Sequence, residues 1–317
     1  MSVLGILVRA LHYASAIGLF GGLLYLMAVA RPAARCTGMR DPIEERFVYR
    51  QARLSLALLV VSGALWLWLV AASIAGTSLG DALAPDVLDA VLGETRFGQI
   101  WLARCAGAAL LAVLLAFLQW RAPGPGHTKA RRVLDGAAFA LALLLLASIA
   151  LVGHAAAAVG GVLNWHLAAD LVHITAAGAW LGSLAPLALL LARTSASDAS
   201  ALAVARATVA RYSTLGIVSV SALAAGGIVN ALYMVGDLDA LIGTPYGRLV
   251  IAKILLLLAM LVGAARNYLV HAPRLRGDAA PMALARLRQT ALYELALGVA
   301  VLLVVGALVS SAPATMG

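Results

Sequence analysis

The sequence has little charge, few cysteines and no nucleotide-binding motif. Charged residues make up 12% of its 317 residues and hydrophobic residues 63%, whereas about a quarter of an average globular domain is charged. Such a chain cannot cover a water-soluble surface of this size, so we expect a membrane protein. Cys36 and Cys105, without a CxxC motif, support neither a disulfide framework nor a thiolate metal site. Because GxxxxGK[ST] is absent, any transport would be passive or coupled to an ion.

Apolar runs of about 20 residues, long enough to cross a bilayer as a helix, occur eight times. They lie near 3–30, 54–76, 98–120, 133–157, 165–192, 212–236, 247–270 and 289–311. The first run is too long for the apolar part of a signal peptide, so we expect it to be retained. The predicted fold is therefore all-α, a polytopic membrane protein with eight transmembrane helices.

The net charge of +9 is unevenly distributed along the chain. Most basic residues lie in the loops after the first, third, fifth and seventh runs, and the opposite loops are acidic or neutral, as in GDALAPDVLDAVLGE at 80–94. The positive-inside rule places the basic loops in the cytoplasm and both termini outside. Topology thus accounts for the charge, and no nucleic-acid partner is expected.

The two halves of the chain resemble each other. His12 aligns with His173, and the third and seventh runs open with the related motifs TRFGQIWLAR and TPYGRLVIAK, which end on Arg104 and Lys253. Since each half holds an even number of runs, the halves would be parallel repeats about an axis along the membrane normal. We predict two four-helix repeats, at 1–158 and 159–317.

The first and fifth runs also share a glycine spacing. Each contains a GxxxG motif, at Gly18–Gly22 and at Gly178–Gly182. Glycines at this spacing allow helix backbones to approach closely, so we expect these positions to be packing contacts between helices.

Histidines are concentrated in the outer half of the predicted membrane domain. His166, Asp170 and His173 fall within about 60° of one another on one helix face, and the two histidines lie about 10 Å apart along its axis. His12 lies at a depth similar to that of His173, and His154 lies level with His166. Ionisable groups in a membrane are costly and usually functional, and neutral imidazole suits copper, zinc, iron and nickel. We therefore predict a metal site with His154 and His166 at its mouth and with His12 and His173 deeper, between the two halves.

Three neighbouring side chains leave alternatives open. Asp170 is either a ligand or the acceptor that orients an imidazole N–H. Met234 is a soft ligand or, more often for such a residue, a structural methionine. Asn230 hydrogen-bonds either the site or a neighbouring helix.

For the other charged residues within the runs, a structural role is an alternative to a functional one. Glu294 lies near the cytoplasmic end of the eighth run. Its alternative roles are an exit-side ligand, a proton acceptor and the ion-pair partner of Arg288 or Arg211. Arg104 and Lys253 lie in the outer half and would repel a free cation, so ion-paired structural roles are favoured for them.

The sequence resembles the CopD/PcoD family of copper-resistance membrane proteins over nearly all its length. The resemblance is carried by GHAAA at 153–157, HLAADLVHITAAGAWLGSL at 166–184, TPYGRLVIAK at 244–253, ELALGVAVLLVV at 294–305 and the opening ALHYASAIGLFGGLLY. It implies a bacterial inner-membrane protein that moves copper, usually inward, beside a separate periplasmic copper-binding protein of the CopC type. By motif match it implies copper-site roles for His154, His166 and His173, with His12 beside them.

The expected function is thus non-enzymatic copper transport, with copper as Cu⁺ or Cu²⁺. The alternative is a b-type haem protein of electron transfer, with His12 and His173 as axial ligands and with Arg9, Arg104 and Lys253 pairing the propionates. A purely structural membrane subunit would leave the row of histidines unexplained.

Overall fold

The described part of the chain is helical. A computed structural model describes residues 2–39, 41–120, 129–152 and 165–316, and these residues contain no strand. Eight helices within them are long and apolar enough to cross a membrane, named α1 to α8 in chain order: Val3–Thr37, Pro42–Ala75, Arg96–Trp120, Lys129–Val152, Trp165–Arg193, Ala199–Met234, Pro245–His271 and Ala280–Val309. Short helices occupy Asp81–Leu83 and Pro85–Glu94, before α3, and Leu238–Gly243, before α7. The predicted all-α polytopic fold is confirmed.

Several helices continue beyond the apolar runs that predicted them. α2 and α6 begin well before the runs near 54–76 and 212–236, on the side of the basic loops. Their first turns are capped: the carboxylate of Asp41 accepts a hydrogen bond from the N–H of Ile43, and Asp198 caps α6 in the same way. Hydropathy predicts the part of a helix that lies in the hydrocarbon region, whereas the N-cap residue determines where the helix begins.

α1 and α5 form the centre of the helix bundle, and their backbones meet at glycines. A Cβ added to Gly21 would lie 2.3 Å from the carbonyl oxygen of Gly178, and one added to Gly182 would lie 2.0 Å from that of Ile17. The amide of Gln51 on α2 donates to the carbonyl of Gly182, at 3.1 Å. Gly178 and Gly182 therefore confirm the helix-packing role predicted for GxxxG, because no larger residue fits at this crossing.

The remaining helices pack around this pair in a similar order in each half. α1 packs against α2 and α4 in the first half, and α5 packs against α6 and α8 in the second. Contacts between α1 and α8 and between α4 and α5 join the halves. The division into repeats at 1–158 and 159–317 stays a prediction, because its boundary lies outside the described residues.

A buried ionic cluster ties α1, α2 and α4 together on the side of the basic loops. A guanidinium nitrogen of Arg31 lies 2.8 Å from the carboxylate of Asp135 and another lies 3.1 Å from that of Glu45. The hydroxyl of Tyr49 donates to Asp135, at 2.6 Å, and Arg131 lies 3.6 Å from Glu45. This network joins the three helices at the ends that face the basic loops, which are the predicted cytoplasmic ends.

Candidate metal centre

A cavity of about 200 Å³ is lined mainly by the second half of the chain; we call it the outer cavity, because it lies on the predicted outer side. The polar and sulfur-containing side chains of its lining come from α1, α5, α6 and α7: Tyr13, His166, Asp170, His173, Asn230, Met234, Tyr246 and Lys253. Three residues of the predicted row on α5 and three of the accessory candidates thus face a common space.

His173 has both ring nitrogens engaged. Its Nδ1 lies 2.9 Å from the carbonyl oxygen of Leu223, and Lys253 Nζ lies 3.2 Å from its Nε2. Because an ammonium group only donates hydrogen bonds, Nε2 accepts and the proton of the neutral ring lies on Nδ1. A Cβ on Gly227 would lie 3.2 Å from the ring, so a glycine on α6 leaves the room that the imidazole occupies.

Asp170 lies between polar groups of two helices. The amide nitrogen of Asn230 donates to its Oδ1, at 3.1 Å. Of the two roles predicted for Asn230, this contact matches the hydrogen bond to a residue of the candidate site. The carboxylate also interacts electrostatically with the ammonium group of Lys253. The ammonium group of Lys253, which bonds His173, and the carboxylate of Asp170 thus line the same cavity.

His166 is more enclosed than its position near the start of α5 suggests. Its side chain is only 4% exposed, and its ring stacks on Tyr233 with centroids 4.6 Å apart and planes 6° from parallel. Sequence spacing predicted the position of His166 along the helix, but it could not predict that Tyr233 of α6 packs over the ring. His173, by contrast, is only partly buried. His166 is thus covered by α6, and its place at the mouth of the site stays a prediction.

The donors are not gathered around one point. Within the described ranges, no three His, Cys, Asp or Glu side chains lie close enough to hold one metal ion together. The cavity supplies imidazole, carboxylate and thioether groups, but Lys253 occupies the Nε2 of His173. Binding of a soft or borderline metal ion there requires movement of side chains.

His12 has a matching environment in the first half of the chain. Its Nδ1 lies 3.0 Å from the hydroxyl oxygen of Ser62, and a guanidinium nitrogen of Arg104 donates to its Nε2, at 2.5 Å. The hydroxyl of Ser62 itself donates to the backbone carbonyl of Leu58, so it accepts from a protonated Nδ1. The ring is 2% exposed and packs edge-on against Trp66 at 5.1 Å. Arg104 thus bonds an imidazole rather than a carboxylate.

The residues do not fit a haem shared by His12 and His173. The imidazole of His12 is bonded to α2 and α3, whereas that of His173 is bonded to α6 and α7. Axial ligation needs the two Nε2 atoms to face one iron, and each is instead covered by its own basic side chain. The pairing of the two histidines across the halves therefore has no support.

The remaining predicted residues lie elsewhere. His154 lies outside the described residues. Glu294 is buried in the middle of α8, not near its end as expected, and the amide of Asn267 donates to it at 3.3 Å. The predicted ion pairs of Glu294 are wrong: Arg288 donates to backbone carbonyls at the end of α5, and Arg211 donates to the sulfur of Cys36.

Residues of the site that the sequence analysis did not single out are Tyr13, Tyr246, Tyr233 and Gly227. Tyr246 lies within the repeated motif at the start of α7, and Gly227 belongs to a tandem glycine in an apolar helix. Both were signals that could have been used. Tyr13 and Tyr233 carry no comparable pattern, because only packing brings them to the histidines.

Comparison with known proteins identifies the family. The family model described as "Copper resistance protein D-like, N-terminal domain" matches residues 1–165, and the model "Copper resistance protein D" matches residues 206–308. Copper resistance protein D of Pseudomonas syringae pv. tomato is 30% identical over 302 residues, which cover 94% of this chain and 93% of that protein. The chain belongs to the copper resistance protein D family.

Two further relatives extend the likeness. Copper transport protein CutJ of Bacillus subtilis (strain 168) is 30% identical over 264 residues, 82% of this chain and 45% of that protein. Inner membrane protein YebZ of Escherichia coli (strain K12) is 29% identical over 277 residues, 86% of each chain. No solved structure gives a significant match. With its eight apolar helices, this member of the copper resistance protein D family is a multi-pass inner-membrane protein.

Proposed function

We propose that the protein moves copper inward across the membrane and that the outer cavity is its first binding site. The observation that carries this proposal is the convergence of His166, Asp170, His173 and Met234 on one cavity in the outer half. The relatives are named for copper resistance and copper transport rather than for a reaction, which favours a transporter over an enzyme.

The donor set suits copper as the transported substrate. Imidazole binds copper in both oxidation states, thioether sulfur favours Cu⁺ and a carboxylate favours Cu²⁺. His173 is the best placed ligand, because its Nδ1–H is held by the carbonyl of Leu223 while its Nε2 lone pair is directed toward Lys253. A metal-bound histidine usually has its other ring nitrogen fixed in this way.

Lys253 would act as a placeholder for copper. Without metal, its ammonium group covers the lone pair of His173. When copper binds, the ammonium group must leave Nε2, and the carboxylate of Asp170 in the same cavity would attract it. Copper then enters without direct repulsion from the ammonium group of Lys253, since the carboxylate of Asp170 compensates the charge of the displaced lysine.

Delivery from a separate periplasmic protein of the CopC type is part of the proposal. The short helix Pro85–Glu94 and the segment before it carry acidic side chains on the predicted outer side. Acidic surfaces raise the local concentration of cations. Such a surface would favour transfer of copper toward the cavity.

Copper retention by two histidine variants tests the proposal. His173→Ala removes the ligand that faces the cavity and should abolish copper accumulation in cells at matched membrane expression. His12→Ala is the control, since it removes an imidazole with the same kinds of hydrogen bond but no place in the cavity lining. Asp170→Asn should fall between the two, with about 10- to 100-fold lower affinity if the carboxylate only orients other groups. Wild-type copper handling in His173→Ala would contradict the proposal.

A further inference from the structure

A pocket of about 300 Å³ lies between α7 and α8, at their predicted cytoplasmic ends. Four positions of α7 (259, 262, 263 and 266) and four of α8 (286, 289, 290 and 293) line it. Both sets follow the spacing i, i+3, i+4, i+7, so each helix turns one face to the pocket. The basic side chains of the lining are Arg266 and His271 from α7 and Arg286 from α8.

His271 shares the face of Arg266 because α7 ends in a wide turn. In an α-helix, residues five apart point about 140° away from each other. Asn267–His271 instead form a π-helical turn, in which the N–H of Ala272 donates to the carbonyl of Asn267 at 2.8 Å. Bonding from i to i+5 brings residues five apart toward the same side. The imidazole and the guanidinium group therefore line one pocket.

These basic side chains have no acidic partner within the described ranges. No carboxylate there lies within 4 Å of Arg266, His271 or Arg286. Asp278 lines a neighbouring depression with Arg286 but lies beyond that distance. Arg286 donates to the side-chain carbonyl of Gln289 at 3.2 Å, and His271 interacts electrostatically with both arginines. Positive charges that are gathered without a counter-ion favour an anion.

Several basic side chains elsewhere on the same side of the protein are paired with acids. Guanidinium nitrogens of Arg31 and Arg131 lie 3.1 and 3.6 Å from the carboxylate of Glu45. Arg193 lies 3.5 Å from the carboxylate of Asp41. The positive-inside rule explains why these loops are basic, but it does not require that basic side chains converge on a pocket.

The pocket crosses the predicted boundary between hydrocarbon and water. Arg266 and His271 lie at the end of the seventh apolar run, near 270, and Arg286 precedes the eighth, near 289. Toward the membrane interior the lining continues with Val262 and Tyr293, which are 61% and 62% exposed. A soluble anion would contact only the basic part of this lining. A phospholipid fits both parts, because it joins a phosphate to an acyl chain.

We propose that this pocket binds the phosphate of an anionic phospholipid of the cytoplasmic leaflet, with an acyl chain along Val262 and Tyr293. Guanidinium groups bind phosphate oxygens through paired hydrogen bonds, and basic pockets between transmembrane helices on the cytoplasmic side bind anionic headgroups. The lipid compensates the charges of Arg266 and Arg286 and joins α7 to α8, its main neighbour among the long helices described.

Native mass spectrometry of the protein in detergent, with palmitoyl-oleoyl phosphatidylglycerol added, tests the site. The wild type should bind a first molecule of this lipid more tightly than it binds the corresponding phosphatidylcholine. Arg266→Gln/Arg286→Gln should weaken that first step about 25-fold, at about fivefold for each arginine. Arg46→Gln/Arg50→Gln is the matched control: it removes two exposed arginines from the same side of the protein, outside this pocket, and should not change the affinity.

Two further measurements separate a lipid from a soluble anion. Val262→Trp keeps every charge but fills the apolar part of the pocket, so it should weaken phosphatidylglycerol binding. Glycerol phosphate, a soluble phosphate ester, should not displace the lipid at equal concentration; displacement would assign the pocket to a soluble anion and overturn the proposal. Equal affinity of the wild type for the two lipids, equal weakening in the Arg46/Arg50 control, or unchanged binding in Arg266→Gln/Arg286→Gln would also overturn it.

Discussion

Replacement of Lys253 by leucine should tighten copper binding in the outer cavity. Lys253 Nζ lies 3.2 Å from Nε2 of His173, so the lysine occupies the lone pair that copper would use. Leucine removes the donor and the positive charge, keeps apolar bulk and adds no metal ligand. It also leaves Asp170 without the ammonium group that interacts with it, which further favours a cation.

The expected gain in copper affinity equals the free energy of the hydrogen bond between Lys253 and His173, which copper no longer has to displace. A hydrogen bond to a charged group contributes about 1.5–3 kcal/mol, and each 1.4 kcal/mol is about tenfold in affinity. The dissociation constant should therefore fall about 10- to 150-fold. The full repulsion between two unit charges about 4 Å apart, roughly 4 kcal/mol near a protein surface, is an upper bound, because the displaced lysine of the wild type moves toward Asp170.

Equilibrium competition with a Cu⁺ chelator, on protein purified in detergent, measures this change. Lys253→Arg retains a cationic donor and should bind copper much as the wild type does. Arg104→Leu removes the corresponding donor from His12, outside the cavity, and should leave the affinity unchanged. If Lys253→Leu binds copper no more tightly than the wild type while it elutes and unfolds normally, Lys253 is not a placeholder for copper.

Further predictions concern topology, packing and cofactor class. A membrane-impermeant thiol reagent should label Cys36 only after cell lysis, and labelling of intact cells would invert the predicted orientation. Gly182→Ala should lower the stability in detergent by about 1–3 kcal/mol, because the new methyl group overpacks the crossing of α1 and α5; thermal unfolding measures this. Gly136→Ala, whose Cβ would meet nothing within 4 Å, should not lower it. The visible spectrum of purified protein should lack a Soret band, and a stoichiometric band would favour haem.

The sequence was sufficient for the fold because apolar length alone defines a membrane helix. It was insufficient for the helix ends, which Asp41 and Asp198 set through capping hydrogen bonds outside the hydrocarbon region. Periodicity also placed His166, Asp170 and His173 on one face, and they share one cavity. These are local properties of a single helix, so local patterns predict them.

The partners of each histidine could not be predicted in this way. The groups that accept from the Nδ1 atoms of His12 and His173, Ser62 and Leu223, each lie 50 residues further along the chain. Nothing in the pattern around either histidine indicates these contacts, which arise only when helices pack. Depth alone suggested that the two imidazoles share an ion, but it carries no information on the direction in which each ring faces.

The surroundings of the two histidines differ although their hydrogen bonds are alike. In the alignment that matches His12 with His173, Trp66 corresponds to Gly227. Trp66 fills the space beside His12, with ring centroids 5.1 Å apart, whereas Gly227 leaves the space beside His173 open to the outer cavity.

The charged residues near the two histidines also differ between the halves, and the difference again favours a cation beside His173. Arg9 stands where the second half has Asp170, and its guanidinium group donates to Ser310 and lies 5.8 Å from the ring of Trp66. A cation approaching His12 therefore meets an indole, Arg9 and Arg104, whereas one approaching His173 meets an open space and a carboxylate beside Lys253. We therefore expect the hydrogen-bonded imidazole to serve packing in the first half. In the second half, where glycine stands in place of tryptophan and aspartate in place of arginine, we expect the imidazole to be accessible to a metal ion.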